Sequence, residues 1–122
     1  MPAVSQSYLA LALALESRTP LRCRYGGHER VICPIILGHR GGEEMALVYQ
    51  VAGDTSGGPL AEPQWKCLRV SQVRDLALAD AAWVSGRAHT QLQHCVATVD
   101  YDVDPASRYA PRRSLGDLRD AG

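Results

Sequence analysis

The sequence predicts a mainly β chain of the α+β kind: an N-terminal helix, a small five-stranded barrel and an additional C-terminal strand. Short apolar runs rich in β-prone residues span 30–37, 45–51 and 65–70. Glycine-rich turns separate those runs, including Gly26-Gly27, Gly41-Gly42 and Gly57-Gly58. Ahead of them lies a stretch of Ala and Leu ending in Glu16, with no turn residue inside it.

That leading stretch, Ser7 to Glu16, alternates Leu and Ala, as a strand would. Its composition favours a helix, because Ala, Leu and Glu are the strongest helix formers and Ser5 or Ser7 can cap its start. Leu9 and Leu13 then fall roughly opposite Leu11 and Leu15. The helix is therefore expected to be apolar nearly all round and sandwiched, for instance against a second subunit. Thr19-Pro20 ends it, since proline pushes its predecessor out of the α region.

Leu21 to Tyr25 alternates cleanly, with Arg22 and Arg24 on the outer face, and Gly26-Gly27 turns it back into a second strand from His28 to Leu37. Pro34 lacks a ladder donor and must sit at an edge or a bulge. A third strand is expected from Met45 to Ala52, followed by the longest connection, Gly53 to Pro63. A fourth covers Gln64 to Ser71, with Trp65, Cys67 and Arg69 on one face and Lys66, Leu68 and Val70 on the other. Val73 to Leu78 is a fifth short strand or a turn leading into one, Trp83 tucks into the core from an irregular segment, and Cys95 to Val103 is the additional strand. Together these form one domain over residues 1–104, and the polar residues 105–122 read as a flexible tail.

With 122 residues, 46% of them apolar, one core can form without metal or disulfide. The net charge of zero excludes a globally charge-driven partner. Arg18, Arg22, Arg24, Arg30 and Arg40 nevertheless cluster against the single acid Glu29, and Lys66 is the only lysine. Cys23, Cys33, Cys67 and Cys95 show no metal-ligand spacing and read as four buried thiols. Leu9 to Leu15 is far shorter than the roughly 20 residues of a membrane helix, so the expected location is cytoplasmic. Asp100, Asp102 and Asp104 have the spacing of carboxylates on one strand face, which solvent-facing alternation explains without a metal. His94 beside Cys95 is weighed against an ordinary buried thiol. No nucleophile elbow, phosphate loop or paired-histidine zinc helix occurs, so neither catalysis nor a cofactor or metal is expected.

One helix followed by short strands and glycine turns suggests a barrel of the SH3 or Sm type. Tyr25, Arg30 and Pro34, then Val48-Tyr49, then Lys66 to Val73 sharpen this, because their order and spacing over residues 5–78 resemble the WYL domain of bacterial regulators. The naming tripeptide falls at Met45-Ala46-Leu47, of which only the Leu is kept, while Leu68 and Gln72 replace a usual Phe and Arg. The resemblance implies a stand-alone WYL-like module without the customary winged helix-turn-helix. It implies a non-enzymatic regulatory domain recognising a nucleotide-type ligand or single-stranded nucleic acid through Arg30, Tyr49, Lys66 and Arg69, with His39 at the rim. The alternative is a homodimerisation or protein-interaction domain, an accessory subunit of a transcriptional regulator, using its N-terminal helix.

Overall fold

The computed structural model describes residues 4–55, 57–84 and 95–103. Helix α1 runs Gln6–Ser17. Ser5 caps it, its hydroxyl accepting the Tyr8 N–H at 3.1 Å. The Ser5 N–H and hydroxyl are in turn donated to the Glu44 carboxylate, which ties the helix start to the sheet. Arg18 closes the other end in the left-handed conformation, φ 52°, and its N–H reaches the Ala14 and Leu15 carbonyls.

The helix buries Tyr8, Leu11, Ala12, Ala14 and Leu15, while Leu9 and Leu13 stay 38% and 47% exposed. Among the described residues the helix is therefore covered on one side. Among the same residues it lies mainly on β2 and the 3-10 turn.

The strands are β1 Leu21–Tyr25, β2 His28–Arg40, β3 Glu43–Thr55, β4 Gly58–Pro59, β5 Gln64–Arg69, β6 Arg74–Leu78 and β7 Thr98–Asp102, with a 3-10 turn at Val70–Gln72. Five of them form a strongly curled antiparallel half-barrel in the order β5-β3-β2-β1-β6. The two-residue β4 pairs the end of β3, and β7 pairs β2. Gly26 and Gly27 turn β1 into β2 with φ of +61° and +79°, the left-handed pair that matches strand twist in a two-residue hairpin. β2 and β3 run longer than expected, because only Gly41 and Gly42 are needed to reverse the chain between them.

Pro34 lies where two irregularities meet. The β2–β3 register shifts between Pro34 and Ile36, and β1 covers β2 only as far as Ile32 while β7 begins at Ile36. A bulge absorbs the missing donor, as the sequence required. Gly38 marks a close approach: a Cβ there would collide with the Thr98 carbonyl and the Val96 side chain, so only glycine lets β7 lie against β2.

The core gathers Tyr8, Leu11 and Leu15 of the helix with Ile32, Ile35, Ile36, Leu37, Val48 and Leu68 of the sheet. Burying such a side chain contributes about 1.5–3 kcal/mol each, so packing dominates the stability. Trp83 packs partly buried against this core, as anticipated. Two expectations need correction. Asp100 and Asp102 are buried, at 3% and 6%, because β7 is covered on both faces. Cys67 is exposed and is bonded to Cys95, their Cα atoms 5.6 Å apart, so only Cys23 and Cys33 are free buried thiols. The expected 105–122 tail lies outside the described residues.

Candidate binding surfaces

Cross-strand partners share a sheet face, so the β3–β5 register sorts the candidates directly. Tyr49, Leu47 and Met45 stand with Trp65, Cys67 and Arg69; Gln50, Val48 and Ala46 stand with Gln64, Lys66 and Leu68. The split expected for β5 holds. Arg30, Tyr49, Lys66, Arg69 and His39 consequently do not converge on one channel; they occupy three places.

The first place is the Arg30 end of β2. Arg30 is 7% exposed, and its Nη1 donates to Gln50 Oε1 at 3.0 Å and its Nε to the Tyr25 carbonyl at 3.2 Å. The guanidinium also sits 5.6 Å from the Tyr25 ring centre, within range of a cation–π attraction. Gln50, fully buried, donates onward to the Ala52 and Asp54 carbonyls at 3.2 and 2.9 Å. These bonds cross the register shift between Val31 and Ile32, where regular ladder bonds fail. Arg30 thus braces the sheet. Lys66, half-buried, shares the face of Gln50. Burial pushes the nearby Cys23 thiol up to about 11, against the pull of Arg30.

The second place is the face of Tyr49, whose ring meets Trp65 at 4.9 Å between centroids, tilted by 53°. Arg69 lies on the same face further along β5, with its side chain 59% exposed and a loose ion pair to Glu43 at 3.8 Å. Its backbone N–H donates to the Tyr25 hydroxyl at 3.1 Å. Glu29 and Asp75, the acids nearest Arg30 and Arg69 in the sequence, both pair with Arg24 instead.

The third place is the far end of β2. His39 Nδ1 lies 3.2 Å from Asp100 Oδ2, and the Tyr8 hydroxyl donates to the same oxygen at 2.6 Å. The Tyr8 and His39 rings stack with centroids 5.7 Å apart. A buried carboxylate is held by a phenol from α1 and an imidazole from β2, joining the helix, β2 and β7. The sequence flagged His39 but not Tyr8, Asp100, Gln50 or Tyr25 in these roles. A tyrosine within an otherwise aliphatic helical stretch was the available signal for Tyr8.

A separate apolar groove of about 310 Å³ runs between α1 and β6, lined by Leu13, Ala14, Leu21, Leu76 and Leu78 among others. Leu78 at its edge is 73% exposed. Among the described residues no group of three or more His, Cys, Asp or Glu is placed to hold a metal, and no helix is long and apolar enough to cross a membrane. Comparison with protein-family models, curated proteins and solved structures finds no match to this chain.

Proposed function

We propose that the chain is a non-enzymatic regulatory binding module that associates with a second copy of itself through the α1–β6 face, serving as an accessory subunit of a transcriptional regulator in the cytoplasm. The observation that carries this is the groove between α1 and β6 beside Leu13 and Leu78, which are 47% and 73% exposed. The groove and the leucines able to fill it lie on one face, so a two-fold partner would insert its own leucines into the groove it faces. Of the outward positions of α1, Gln6, Leu9, Ala10, Leu13 and Ser17 carry no charge that such a contact would have to desolvate, and the acid Glu16, on the side of Leu9, lies outside the groove lining. The finer fold reading, an SH3/Sm-like barrel of WYL type, is supported by the order β5-β3-β2-β1-β6 and by the 3-10 turn joining its outer strands. Sedimentation over a dilution series tests the association. The wild type is expected to dimerise and Leu13→Glu with Leu78→Glu to remain a folded monomer; a wild type monomeric at the highest soluble concentration would refute the reading.

The second reading, a nucleotide or single-stranded nucleic acid as ligand, is favoured by the Tyr49–Trp65 pair with Arg69 on the same face. Aromatic rings can stack a base while a cation meets phosphate. Arg30 then acts from behind the sheet, and Lys66 would reach ligand only from the opposite face. Titration with short oligonucleotides should shift the Trp65 indole resonance in the wild type and not in Arg69→Ala. An indole signal that stays unmoved in both proteins would rule this reading out.

A further inference from the structure

The Cys67–Cys95 bond belongs to none of the surfaces above. We propose that it is a thiol–disulfide exchange site, open to a low-molecular-weight thiol at Cys67, whose reduction loosens the contact at Val84.

The two sulfurs differ in access. Cys67 is exposed on β5, whereas Cys95 is buried at 7%. A thiolate must approach along the S–S axis, and solvent reaches Cys67. The buried end is provided for after cleavage. Cys95 Sγ lies 3.5 Å from the Ala46 carbonyl oxygen, to which a thiol would donate and a disulfide sulfur, having no hydrogen, cannot. Both chemical states therefore have a place for the Cys95 sulfur.

Competing thiols are silenced. Cys23 and Cys33 are buried, and burial raises the thiol pKa of both, that of Cys23 to about 11, so little thiolate forms near neutral pH.

The exchange balances in two steps. A thiolate attacks Cys67 Sγ, the protein S–S bond breaks, and Cys95 leaves as a thiolate that takes up a proton beside Ala46. A second thiolate attacks the outer sulfur of the mixed disulfide, releasing Cys67 as thiolate and the small molecule as its disulfide. Two external thiols are oxidised and one protein disulfide is reduced.

The consequence is local, because β7 has its own anchors. Ala97 N–H donates to the His39 carbonyl at 3.0 Å, Val103 N–H to that of Ile35 at 2.9 Å, and Tyr8 to Asp100. On the other side of the bond the Val84 N–H is donated to Cys33 Sγ, a weak acceptor, at 3.5 Å. Opening the bond loosens the contact at Val84 and leaves the sheet intact.

The test treats native oxidised protein with reduced glutathione, maps adducts by mass spectrometry, and follows amide exchange. Glutathione is expected on Cys67 rather than Cys95, then free thiols at both, with Cys23 and Cys33 unlabelled by iodoacetamide until denaturation. Exchange at Val84 should rise about tenfold while that at Val103 stays within about twofold. The Cys67→Ser, Cys95→Ser double variant should reproduce the fast Val84 exchange without reductant. Glutathione on Cys95, a free Cys67 thiol in the oxidised protein, or Val84 exchange unchanged by reduction would overturn the proposal.

Discussion

The two ends of β2 bury opposite charges by opposite means. At one end a cation, Arg30, is held by neutral partners: the Gln50 amide, the Tyr25 carbonyl and the Tyr25 ring. At the other an anion, Asp100, is held by a phenol and by an imidazole that can itself carry charge. The first arrangement uses residues of adjacent strands and mends a bulge. The second uses residues 92 apart in the sequence and fastens the helix to the last strand. One is an internal brace of the sheet, the other a clasp between layers. Both give a candidate side chain, Arg30 at one end and His39 at the other, partners within the protein itself.

Breaking the brace should have the larger effect. Gln50→Ala takes the Gln50 acceptor from a buried guanidinium and removes donors to two carbonyls, so a loss of about 3 kcal/mol is expected in urea unfolding. A loss below about 1 kcal/mol would mean that Arg30 reaches water and is no brace. Opening the clasp should cost less. Tyr8→Phe keeps the ring on His39 and removes one charge-assisted bond, for an expected loss of about 1.5 kcal/mol by the same measurement. If Tyr8→Phe cost more than Gln50→Ala, the ranking of brace over clasp would be reversed.

The backbone was more legible than the partners of its side chains. Alternation in Leu21 to Tyr25 and the paired glycines at Gly26-Gly27 fix a hairpin locally, and the structure contains it. Pro34 announced a bulge for a reason internal to proline. Gln50 could not be matched to Arg30 in advance, because that pairing depends on a register shift that no local pattern encodes. Asp100 looked like one of an alternating series of solvent-facing acids, since burial on both faces of β7 is a tertiary fact. Cys67 and Cys95, 28 residues apart, came together only through the path of the intervening chain. The helix stripe of Leu9 and Leu13 reads as a face to be covered, and the sequence registers its hydrophobicity without naming what packs beside it.

Tyr25 gives the half-barrel a gauge. Its hydroxyl receives the Arg69 N–H from β5, while its own strand lies on the other side of the opening beside β6. The carbonyl and ring of the same residue hold Arg30. Here the phenol bridges the seam beside the Val70–Gln72 turn that joins β5 to β6. The opening there is bounded by the short 3-10 turn and by the reach of one side chain together.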